Sequence, residues 1–87
     1  MSDKAMARRS KIAVVQHEIW AHWMRYLFSI CPENVDNTVT IPADKVTRWK
    51  RQLNTGYDWL SPNERQSDLE QADKVLAILE DTFQELT

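Results

Sequence analysis

The chain reads as all-α: two long helices packed antiparallel, a short helix between them, and a small extended segment in the middle connection. Three observations predict this class. Apolar residues recur at steps of three and four along both ends of the chain. A single glycine and three prolines in 87 residues leave too few turn formers for a many-stranded sheet. Hydrophobic residues make up 43% and charged residues 28%, a globular rather than a disordered balance. Residues 1–87 are read as one domain, near the lower size at which a single core suffices. Within it, residues 1–10 are a basic extension of the first helix, open to fraying.

The first helix is predicted from Asp3 or Lys4 to Ile30, where Pro32 stops it. Ile12, Val15, Ile19, Trp23, Leu27 and Ile30 fall on one stripe. Beside it runs a second strip of Ala13, His17, Trp20, Met24 and Phe28. Together they exceed the ~100° a helix needs to face one core, so the surplus face is expected to meet another element, a second subunit or a ligand.

In the connection, Asn34 to Asn37 reads as a turn, and the β-branched run Thr38 to Ile41 is the strand-like segment. Such a strand needs a partner, either in a small ribbon or in another subunit. Pro42 at or near the first helical position and Asp44 in the first turn open the short second helix. Val46, Trp49 and Leu53 form its apolar side; Lys45, Arg48 and Arg51 form the other. Asn54-Thr55-Gly56 ends it, with the lone glycine expected as a left-handed cap.

Ser61-Pro62-Asn63-Glu64 is the strongest local signal in the chain. Serine as cap, proline next and glutamate at the third position make a capping box that starts the third helix. Leu69, Ala72, Leu76, Leu79, Phe83 and Leu86 then alternate at steps of three and four, a narrow seam suited to packing on another helix. The basic residues Lys4, Arg8, Arg9 and Lys11 and the acidic Glu80, Asp81 and Glu85 oppose their own helix dipoles. Antiparallel packing of the first and last helices would bring these ends together and relieve the conflict; two solvated ends are the plainer alternative.

Composition excludes several functions. A net charge of −2 argues against general affinity for nucleic-acid phosphates. No run reaches the ~18 apolar residues of a membrane span. With Cys31 as the only cysteine, no intrachain disulfide forms, and a cytoplasmic setting is expected. His17 and His22, five residues apart, face different sides of a helix, so no metal site is expected. No glycine-rich phosphate loop or nucleophile elbow is present, and no cofactor is implied. One enzyme reading stays open: Glu64, Asp68, Glu70 and Asp73 put carboxylates on the third helix, and Glu70 and Asp73 form a Glu-x-x-Asp pair such as all-α nucleotide pyrophosphohydrolases use to hold Mg²⁺. The facing helix supplies only Glu18, and a solvated acidic face is the commoner explanation.

The four tryptophans are more informative. Trp23 and Trp49 fall on core stripes. Trp20 lies on the surplus strip with His17 and Met24, and Trp59 precedes the capping box. A flat aromatic near Arg48, Arg51 or Arg65 suits the stacking of a purine and the holding of its phosphates. From the residues alone, burial of Trp20 against the third helix or a twin subunit is the more ordinary reading.

At His17-x-x-Trp20, Tyr57-x-x-Leu60 and Glu64-Arg65-x-x-Asp68-x-x-x-Ala72, the chain resembles the ryanodine receptor repeat domain, over roughly residues 17–79. That module occurs in the calcium channel and in proteins of bacteria and their phages. Gly56 stands where the family has proline, Pro62 is displaced by one position, and the family's middle loop is replaced by residues 38–55. The resemblance implies a non-enzymatic helical module with a ligand pocket of Trp20, His17, Met24, Arg48, Arg51, Asn54 and Asp68. Tyr57 would anchor the corner by a hydrogen bond. The implied ligand is an adenine-type nucleotide, or a cyclic or NAD-derived one. Self-association as a dimer or higher oligomer would complete a cleft that the channel builds between two repeats. For a phage chain in the host cytoplasm, the expectation extends to sequestering an immune signalling nucleotide. A protein–protein adaptor that docks a partner on the surplus face of the first helix is the alternative.

Overall fold

Helix α1 (Asp3–Ile30) starts at Ser2, whose hydroxyl accepts from the Ala5 backbone N–H at 3.2 Å. It ends where Cys31 turns extended one residue before Pro32, the predicted stop. The computed structural model describes residues 2–86, with side chains through Glu80. Over that range the chain is mostly helical, with three α-helices and no sheet.

The middle connection is held by polar groups. Asn37 takes a left-handed φ of 68°, and its N–H reaches the Asn34 carbonyl at 3.2 Å. The Asp36 carboxylate accepts from the Thr38 hydroxyl at 2.6 Å and from its backbone N–H at 3.2 Å, which holds the carboxyl below its usual pKa. The β-branched run forms no strand. Its one ladder contact is an isolated antiparallel bridge between Glu33 and Val39, because the turn at Asn34–Asn37 leaves too short a return for a second pair.

Helix α2 (Ala43–Leu53) starts after Pro42, which is the cap residue rather than the first helical one. Its end departs from expectation. Gly56 sits at φ −66°, not in the left-handed region. Side chains cap the last carbonyls instead: the Asn54 amide donates to the Lys50 carbonyl at 2.9 Å and the Thr55 hydroxyl to that of Arg51 at 2.6 Å. With those acceptors satisfied, no left-handed cap is needed, and Gly56 leads into a 3₁₀ turn, Tyr57–Trp59.

Helix α3 (Pro62–Leu86) opens on the predicted capping box. The Ser61 N–H donates to Glu64 Oε1 at 3.0 Å, and the Glu64 N–H returns to Ser61 Oγ at 3.3 Å. Among the described residues, α1 and α3 are the elements in sustained contact. Ile12, Val15 and Ile19 of α1 border a narrow crevice with Val75 and Ile78 of α3.

Little of this is deeply covered. Among the described residues, Val15, Cys31 and Leu60 are the buried apolar ones, and Glu64 and Gln71 the buried polar ones. On the expected core stripe Ile19, Trp23, Leu27 and Ile30 are half-buried, and Ile12 is exposed. The surplus strip stays open at Ala13, His17, Trp20 and Phe28. So does the α3 seam at Leu69, Ala72, Leu76 and Leu79; the expected Phe83 and Leu86 side chains, like the Asp81 and Glu85 carboxylates, lie outside the described residues.

Candidate functional site

The last turns of α1, the body of α2 and the start of α3 enclose an open recess of about 660 Å³. Its walls follow from local structure. Trp23, Met24 and Leu27 come from α1, Trp49 and Leu53 from α2, and Tyr57 and Leu60 from the corner. Leu60 is buried at the base of that corner, which two backbone bonds close: Trp59 N–H to the Gly56 carbonyl at 2.9 Å and Leu60 N–H to that of Tyr57 at 3.1 Å.

The aromatic groups form a continuous run. His22 meets the Trp23 ring edge-on at 4.8 Å between centroids, and Trp23 meets Tyr26 at 6.4 Å. Tyr26 reaches across to Trp49 at 6.5 Å, so α2 is seated on α1 through rings. The polar lining of the recess includes Arg48, Gln52, Thr55, Glu64, Ser67 and Asp68.

Glu64 is 2% exposed and both its oxygens are engaged by the chain. Oε1 accepts from Ser61, and Oε2 from Arg51 Nη2 at 2.7 Å, with Arg48 Nε at 3.7 Å. The Ser61 backbone N–H is the main reason its pKa falls from 4.5 to about 2. Burial opposes that shift, and the Ser61 hydroxyl and the Arg51 guanidinium reinforce it. This acid therefore holds the corner to α2. Among the described residues, no three His, Cys, Asp or Glu side chains gather as a metal-holding group.

Of the residues expected in a pocket, Met24, Arg48 and Asp68 line this recess. Trp20, His17, Arg51 and Asn54 are not among its walls. Trp20 instead stacks on His17 at 5.7 Å and 30°, with 57% of its surface open. It lies one turn, about 6 Å, below Met24 along α1, beneath the level at which α2 docks. Arg51 is turned to Glu64, and the Asn54 amide to its own helix. The Tyr57 ring walls the recess, and among the described residues its hydroxyl makes no hydrogen bond, so the expected anchor is replaced by backbone bonds. Of the recess residues, Trp23 and Trp49 were expected on core stripes, and His22 and Tyr26 were expected in no pocket. The adjacency of Trp49 to Arg48 was the available signal.

Set against family models, curated proteins and solved structures, the chain matches none. No helix among the described residues is long and apolar enough to cross a membrane.

Proposed function

We propose that the chain is a non-enzymatic binding module that takes a nucleotide, or a nucleotide-derived signal, in the recess between α1, α2 and the start of α3. One observation carries the reading: Trp23, Trp49, Tyr26 and Tyr57 converge on a recess that also holds Arg48 and Asp68. Its volume falls in the range of small-molecule sites, about 300–1,000 Å³. An aromatic ring offers a flat base ~1–3 kcal/mol of stacking. A carboxylate such as Asp68 accepts hydrogens from base N–H or ribose hydroxyl groups, and Arg48 suits phosphate.

In this reading, Trp23 and Trp49 take the stacking role that the resemblance to the ryanodine receptor repeat assigns to Trp20. The two long helices run antiparallel. Support comes from the order of contacts, in which Ile12–Ile19 meet Val75 and Ile78 while residues 22–27 share the recess with residues 64–68. The extended middle segment serves as a strap that returns the chain to α2. Sequestration of an immune signalling nucleotide, in a host cytoplasm, rests on the resemblance alone.

Calorimetry with ADP, ATP, NAD-derived and cyclic nucleotides tests the proposal. Binding by one class is expected, with affinity lowered about 10-fold or more in Trp49→Ala and Asp68→Ala. Trp20→Ala should leave it unchanged. Silence across the panel, or binding indifferent to both recess variants, overturns the reading.

A second reading, an adaptor that docks a partner protein, draws on the open Trp20–His17 stack and on Phe28, exposed about two turns further along α1. It would be marked by partner binding lost in Trp20→Ala and kept in Asp68→Ala. The Mg²⁺ hydrolase reading, which rests on the Glu70 and Asp73 pair, is less well supported, because among the described residues no third His, Cys, Asp or Glu gathers with two others.

A further inference from the structure

The α1–α3 pair leaves two apolar stripes uncovered. On α3, Leu69, Ala72, Leu76 and Leu79 are all exposed, Leu76 by 51%. The crevice against α1 lies on the side of buried Gln71, at half-buried Ile78 and at Val75, itself 39% exposed. At 100° per residue that side is rotated by roughly 110° from the seam. On α1, His17, Trp20 and Phe28 are exposed in the same way. Met24 from the α1 strip and Asp68, the residue before Leu69, line one recess.

The area left open is too large for a finished monomer. The 10.3 kDa chain exposes 7149 Å², whereas a folded monomer of that mass exposes about 5,400 Å². Its radius of gyration is 17.3 Å, against about 12 Å for a compact domain of this length. The excess surface, polar and apolar together, is about 1,700 Å² per chain.

We propose that a second copy of this chain covers these stripes, the α3 seams of the two copies packing together in a two-fold, four-helix assembly. The excess on each copy is about twice the ~800 Å² per partner that a stable protein–protein interface covers. The seam is apolar at Leu69, Ala72, Leu76 and Leu79, and its 3–4 alternation is the pattern one helix presents to another. Two-fold pairing needs only one such surface, because the same patch serves both sides. The assembly does not depend on what the recess binds.

Sedimentation of the full chain tests this. A particle of twice the chain mass is expected, with a thermal midpoint that rises with protein concentration. Leu76→Lys should weaken association about 30-fold or more. Glu70→Gln, on the opposite side of α3, should not. A monomer of full helical content with a concentration-independent midpoint overturns the proposal, and a closed assembly of more than two copies overturns the two-fold arrangement. If Leu76→Lys fails to fold, the concentration dependence of the unaltered chain decides alone; if it folds and associates as before, the seam is not the interface.

Discussion

Arg51 Nη2 lies 2.7 Å from Glu64 Oε2, so one guanidinium on α2 is tied to the acid that also caps α3. The same carboxylate thus sets where α3 starts and where α2 sits, which is what gives the recess its walls. Its position is unusual for a charge: Glu64 is 2% exposed while its partner Arg51 stays half open. The acid is stabilised by one fixed backbone donor, the Ser61 N–H, more than by the ion pair, and that dependence makes it testable.

Acid should loosen the corner in a defined window. The folded pKa of Glu64 is lowered from 4.5 to about 2, so ionised Glu64 stabilises the fold above pH 4.5. That contribution is lost as pH falls from 4.5 through about 2. The expected outcome is a thermal midpoint that declines across this window. In Glu64→Gln the midpoint should start lower and change less there. Parallel pH profiles of the two proteins would contradict the assignment.

Removing the serine side of the box isolates the cap. Ser61→Ala should cost about 1 kcal/mol in urea unfolding. Combined with Glu64→Gln, its further cost should be smaller than when made alone, because the two groups bond reciprocally. Additive losses would show that they act independently.

Gly56 gives a prediction of opposite sign. Its φ is −66°, and a Cβ added there would meet only Trp59 Cδ1 at 4.0 Å. Gly56→Ala should therefore stabilise by about 0.4–1 kcal/mol through the unfolded chain's lost freedom. A destabilised variant would place the glycine in a conformation alanine cannot adopt.

Gln71 is buried, and its Oε1 has no hydrogen-bond partner among the described residues. Gln71→Met keeps the length of the side chain and removes the orphaned acceptor. A gain of about 1 kcal/mol in unfolding free energy is expected. Loss of stability on that change would mean that the amide oxygen is satisfied after all.

The helix boundaries were legible in the sequence because their causes lie within four residues. Pro32 cannot continue α1, and Ser61 and Glu64 bond across three positions. Helical periodicity likewise separated the stripes of α1, but it gives an angle around the axis and no height along it. Trp20 shares its arc with Leu27 and Met24, and it misses the recess because α2 docks one turn higher. The end of α2 was misread for a related reason: Gly56 can take a left-handed φ, yet Asn54 and Thr55 had already satisfied the carbonyls.

By itself the sequence determined the helix count, most of the helix ends and the capping box, since each is a contest between neighbouring groups. Tertiary structure decided which indoles share a recess with Asp68, and that Arg51 would answer Glu64. Those contacts depend on how the connections at residues 31–42 and 54–61 set α2 against α1 and α3, a distance no local preference encodes.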